Sequence, residues 1–171
     1  MRKQILFVFI LSLILFQGFV SNKVEVVDEK PYVLSTVGML HDVVVSLLPS
    51  DIDKKLLLPA GTDPHVYVPT LSNIQDFNNA DMIFSIGLDL EAQMHDALLS
   101  LSNSKPVYFF GEMLDKSLLI QDSEAFDPHV WFDLDLFSFV VDDVSDALVK
   151  QYPQLSSQII KLGGKPNIES K

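Results

Sequence analysis

Asp63-Pro64-His65-Val66-Tyr67 and Asp127-Pro128-His129-Val130-Trp131 place two of the chain's four histidines in one repeated frame, Asp-Pro-His-Val-aromatic. Imidazole is the commonest neutral metal ligand among side chains. It suits zinc, copper, nickel or iron, and manganese less well. Two such rings supply half of a tetrahedral zinc shell. The neighbours of each histidine suit the same task. Proline fixes φ and stiffens the loop, so the ring is aimed before a cation arrives. The aspartate is placed to accept a hydrogen bond from the ring's second N–H or from nearby backbone. The aromatic residue two positions on packs and shields the loop. Either histidine taken alone also fits a hydrogen-bonded loop residue, because short motifs recur by chance. The return of the whole string favours a shared role, with His65 and His129 as candidate metal ligands.

The other two histidines read differently. His41 and His95 both lie inside helical patterns and each is followed by Asp. His41 is expected to be a partly buried helix residue, and His95 to sit on a solvated face. Other chemistries lack their residues. No HExxH, Gly-rich phosphate loop or GxSxG elbow is present. The acidic group Glu124, Asp127, Asp133, Asp135, Asp142, Asp143 and Asp146 lacks the alternation and mid-loop glycine of a calcium-binding EF-hand loop. It reads as a solvated acidic face.

The elements that would position the two loops follow from patterning. Strands are expected over Tyr32 to Gly38, Asp53 to Leu58, Asp81 to Gly87 and Lys105 to Phe110. Helical spacing covers Met39 to Leu48, a stretch starting at a capping Thr70 or Ser72, and Asp89 to Leu101. It returns from Leu134 to Gln151, with Leu136, Phe139, Val140, Val144 and Leu148 on one side. Residues 112 to 133 read as a long connection of mixed pattern. Strands alternating with helices predict an α/β fold, a parallel sheet flanked by helices on both faces. Ligands in such folds gather outside the carboxyl ends of the strands. Both histidine loops follow strands, so both are expected at that rim.

Composition bounds the partners. The 171 residues are enough for one domain of ordinary size, and 48% are hydrophobic, which provides a core. The net charge of −11 opposes binding to nucleic acid or to anionic lipid. There are no cysteines, which excludes disulfides, thiolate metal sites and a lipid-anchoring cysteine. The N-terminus opens with Arg2 and Lys3, and an apolar run from Ile5 to Phe16 follows. Residues 1–22 are therefore expected to be a signal peptide or N-terminal anchor, and the chain to be exported.

Four stretches, "VLSTVGMLHDVV", "PAGTDPHVYVPT", "NADMIFSIGLDLE" and "EAFDPHVWFDLDLFSFVV", resemble in order and spacing the N-terminal lobe of a known family. These are the solute-binding proteins of zinc- and manganese-importing ABC transporters, the cluster with a long linking helix. The resemblance implies two α/β lobes joined by one rigid helix, with the metal between them. It implies that His65 and His129 ligate Zn²⁺ or Mn²⁺, and that a histidine or glutamate and an acidic residue of a C-terminal lobe complete the shell. It implies a monomeric, non-enzymatic receptor at the periplasm or outer face of the cell membrane, delivering its ion to a membrane permease. Residues 23–152 are expected to be the metal-binding lobe. Residues 153–171 are expected to be a truncated start of the linking helix and a tail, with the second lobe missing. Two other readings stay open. One is a truncated, non-functional or adhesin-like fragment. The other is a metallohydrolase using both histidines and a carboxylate such as Asp127.

Overall fold

A computed structural model of the chain describes residues 30–163. The expected signal segment and the residues after Gly163 lie outside that span. Four strands, β1 (Tyr32–Ser35), β2 (Asp53–Leu56), β3 (Met82–Ser85) and β4 (Val107–Phe109), form one parallel sheet in the order β2-β1-β3-β4. Leu34 is opposite Lys55 on one side and Ile83 on the other. Between the strands run α1 (Gly38–Leu47), α2 (Leu71–Asn79) and α3 (Ala92–Leu101). After β4 come a single helical turn, α4 (Phe110–Met113), a two-residue-per-strand hairpin, β5 (Gln121–Asp122) and β6 (Ala125–Phe126), and then α5 (Leu134–Gln151) and α6 (Ser156–Gly163).

The chain steps from β1 to β2 in one direction, then crosses β1 to reach β3 and continues to β4 in the other. Right-handed crossovers therefore put α1 on one face and α2 and α3 on the opposite face. Helices α5 and α6 pack on α1, which thickens that face. The expected α/β fold with helices on both faces is what the chain adopts.

Burial explains the strand patterns. Val33 and Leu34 of β1 and Met82, Ile83 and Phe84 of β3 are fully buried, as central parallel strands covered on both faces must be. Edge strand β2 carries Lys54 and Lys55 instead, and charged residues on an edge discourage pairing with another chain. Lys55 bonds both oxygens of Asp76 on α2 at 2.7 Å. Lys105 closes the C-terminal end of α2, donating to the carbonyls of Phe77, Asn78 and Ala80 at 2.6 to 3.0 Å.

The patterning placed every main element, but the ends differ. Gly38 was expected to stop a strand and instead opens α1. Residues 57 and 58 leave the assigned strand, although Leu57 and Leu58 still donate to the carbonyls of Ser35 and Thr36. Phe139 does not share the buried side of α5. It is 48% exposed, and Ser145 and Ala147 are buried there with Leu136, Val140, Val144 and Leu148. Among the described residues no helix is long and apolar enough to cross a membrane.

Candidate metal centre

Strands β2 and β4 are the two edges of the sheet, roughly 14 Å apart over three strand spacings. His65 follows β2 and His129 follows β4, so the two loops start far apart. They fold inward over the carboxyl edge, and the two imidazole centroids come to 5.5 Å, with the ring planes at 46°. A ring that ligates zinc has its centre about 3.2 Å from the ion, so two rings at the tetrahedral angle lie about 5.2 Å apart. The observed separation fits one shared cation.

Each loop is built by the same local device. Asp63 Oδ1 accepts from the backbone N–H of His65 at 3.0 Å, and Asp127 Oδ1 accepts from that of His129 at 3.0 Å. An aspartate that bonds the backbone two residues on makes a tight turn, and the intervening proline holds φ. Beyond that turn the loops diverge. Asp127 Oδ1 also lies 2.6 Å from His129 Nδ1. A carboxylate only accepts, so Nδ1 carries the proton and the Nε2 lone pair is left for a metal. These bonds from His129 hold the Asp127 carboxyl below its usual range, the backbone N–H first and the ring second. Trp131 meets the His129 ring edge-on at 5.1 Å, and Phe132 stacks on it at 6.2 Å. The first loop is braced through its aromatic residue: the Tyr67 hydroxyl donates to Asn73 Oδ1 at 2.6 Å. Asn73 belongs to the capping box of α2, in which Thr70 Oγ1 accepts from the Asn73 N–H.

The β5–β6 hairpin positions the second loop. Its pairing continues one step further, where the Asp127 N–H donates to the Ile120 carbonyl at 2.8 Å. Asp133 then caps α5, accepting from Asp135 N at 2.9 Å and Leu136 N at 3.1 Å. The hairpin has strands too short for periodicity, so the long connection hid it.

His41 is half-buried as expected. Burial lowers its pKa, and its Nδ1 has no hydrogen-bond partner. His95 departs from the expected solvated face. It is half-buried, with its ring 5.2 Å from that of Phe109. Neither joins the His65–His129 pair. Sequence reasoning missed Glu91, which is 2% exposed. One of its oxygens accepts from Thr36 Oγ1 at 2.6 Å and Ile86 N at 3.0 Å, and the other from Gly87 N at 3.0 Å. It ties the β1–α1 loop to the β3–α3 loop at the point where the strand order reverses. That second loop holds three successive left-handed residues, Gly87 (φ 73°), Leu88 (φ 52°) and Asp89 (φ 63°). A Cβ at Gly87 would also stand 2.7 Å from Glu112 Oε1. The only sequence signal for Glu91 is a carboxylate four positions after a glycine stop, which is weak.

Among the described residues no group of three or more His, Asp or Glu side chains converges as a metal site. The expected acidic face likewise gathers no such cluster. What the fold brings together at this edge is the pair of imidazoles of His65 and His129.

Residues 33–161 match the family model described as zinc-uptake complex component A, periplasmic (ZnuA). The chain is 36% identical over 148 residues to the zinc-binding protein TroA of Treponema pallidum, covering 84% of this chain and 48% of that protein. It is 30% identical over 129 residues to the manganese-binding lipoprotein MntA of Bacillus subtilis, covering 74% and 42%. The solved structure of the periplasmic zinc-binding protein TroA superposes with a TM-score of 0.75 at 34% identity, over 77% of this chain and 48% of that one. The Fe(III)-bound YtgA of Chlamydia trachomatis superposes at 0.69 and 25% identity, over 78% and 47%. The chain spans about half the length of these relatives. The match over most of its own length makes the chain a member of the ZnuA family of periplasmic zinc-uptake components.

Proposed function

We propose that this chain is the N-terminal metal-binding lobe, residues 23–152, of an extracytoplasmic solute-binding component of a metal ABC importer. It captures Zn²⁺ or Mn²⁺ through His65 and His129 and passes the ion to a membrane permease. Residues 1–22 direct export or anchor the chain, and residues 153–171 begin the linking helix and tail. The receptor is a monomer and performs no catalysis. The observation that carries this reading is the 5.5 Å approach of two imidazoles from opposite edges of one sheet. The zinc- and manganese-binding relatives support it. Two nitrogen donors favour zinc, and harder carboxylates from a second lobe would move the preference toward manganese.

Thermal unfolding with and without zinc tests the reading. A ligand that binds only the folded chain raises Tm, and the rise grows with the logarithm of its free concentration above Kd. The wild-type chain is expected to gain stability with zinc, and His65→Ala and His129→Ala to lose that gain. An equal gain in all three proteins would overturn the assignment.

A further inference from the structure

Among the described residues Glu91 is the only charged side chain that is buried, and no lysine, arginine or histidine pairs with it. A buried carboxylate is costly unless hydrogen bonds replace its water. Here the Thr36 hydroxyl and the Ile86 and Gly87 N–H groups replace it. Two of these donors belong to residues that also hold the start of a histidine-bearing connection. The Thr36 carbonyl accepts from the Leu58 N–H at 3.1 Å, and Leu58 opens the loop that carries His65. The Ile86 carbonyl accepts from the Gly111 N–H at 2.8 Å, where the connection that carries His129 begins. Leu58, Thr36, Glu91, Ile86 and Gly111 therefore form one bonded line across the carboxyl ends of all four strands. The fit along it is close, because a Cβ at Gly111 would stand 2.8 Å from the Ile86 carbonyl oxygen. Just after Gly87, Leu88 and Asp89 hold left-handed backbone, which non-glycine residues keep only where their surroundings fix it.

We propose that Glu91 is a positioning residue for the metal centre: it fixes the frame from which both histidine loops rise, and so the separation of the two rings, without touching the ion. The proposal rests on the reading above, in which His65 and His129 are the ligands. A binding constellation must be held within about 0.5 Å by the residues behind it. Loops that rise from opposite edges of a sheet share no element, so their spacing depends on what joins the edges. Between the central strands the Thr36 N–H bonds the Phe84 carbonyl at 2.9 Å. Just past that bond, the Glu91 side chain makes the join. This is also the switch point between β1 and β3, where ligands of such folds gather. A carboxylate is suited to the position because it only accepts, and all three of its partners donate. Glutamine has the same shape but turns an NH₂ donor toward one of those donors, which opens the line.

The test follows ring geometry and zinc affinity together in Glu91→Gln, at a temperature where circular dichroism shows the variant folded. Nuclear Overhauser contacts between the His65 and His129 ring protons report the separation in the metal-free chain. Calorimetric titration with zinc chloride reports Kd. The expected result is loss of the inter-ring contact and zinc binding about tenfold weaker, the low end of what loss of an outer supporting group costs. Thr36→Val removes one donor from the same line and is expected to weaken binding about threefold. It carries the test if Glu91→Gln does not fold. Ile159→Ala, in the buried face of α6, controls for general loosening. It is expected to lower Tm and to leave both the inter-ring contact and Kd at wild-type values. Native contact and native affinity in the folded line variants would overturn the proposal and leave the receptor reading standing, as would an equal loss in Ile159→Ala. Absence of zinc uptake by the wild-type chain would overturn the receptor reading and this proposal with it.

Discussion

The two Asp-Pro-His-Val loops share four residues and one backbone bond, yet the fold treats them differently. Val130 of the second loop is 3% exposed and joins the core, whereas Val66 of the first is 69% exposed. The His129 ring is clamped by Asp127 and walled by Trp131 and Phe132. His65 has the backbone turn from Asp63, and its bracing runs through Tyr67 to the cap of α2. The identical string therefore specifies the turn, and the surroundings specify how firmly the ring is held. In the proposed site His129 would be the preorganised ligand, and His65 the one that adjusts to the ion.

The largest effect should come from removing either ring. Both His→Ala variants are expected to lose more than about a hundredfold in zinc affinity, beyond what loss of a hydrogen-bonded supporting group costs. Isothermal titration checks this, and one variant with near-native affinity would remove that histidine from the site. Asp127→Ala should cost about 10–100-fold, because it releases the ring as well as the turn. Asp63→Ala removes one backbone bond and should cost only about threefold. Equal losses at the two aspartates would break the claimed asymmetry.

Stability separates the loops next. Val130→Ala leaves a hole in packed surroundings and should destabilise by about 2 kcal/mol. Val66→Ala changes an exposed side chain and should stay within about 0.5 kcal/mol. Denaturant midpoints of the metal-free proteins measure both.

The smallest effect sharpens the contrast between clamped and unclamped histidines. Burial lowers the His41 pKa below its ordinary value of 6.5, so the unfolded chain takes up that proton first on acidification. Its contribution to stability is present above pH 6.5 and is lost as pH falls through the lowered folded value. The Tm of the wild-type chain should therefore drop more between about pH 7.5 and about pH 5 than that of His41→Gln. Parallel pH profiles would refute a role for His41.

Much of this architecture was legible because its signals are local. The buried centre of the sheet reads as "YVLS" and "MIFS", continuous apolar runs, and the edge reads as "DKKL". Thr70 caps α2 as its residue type and position suggested. Phe139 fell on the wrong side because helical spacing gives an apolar stripe and not its width. Glu91 was missed because a buried carboxylate is defined by its donors, which come from residues 36, 86 and 87. His95 was misplaced because its partner, Phe109, lies on the following strand.

Sequence alone determined the α/β alternation and the two stiffened Asp-Pro-His turns, since each depends on residues within a few positions of one another. Tertiary structure decided that the two rings meet. Their loops start on opposite edges of the sheet, and only the order β2-β1-β3-β4, with the hairpin at residues 121–126 folding the second loop inward, brings them to 5.5 Å. It also decided which ring is clamped, because that depends on whether the valine after each histidine finds the core.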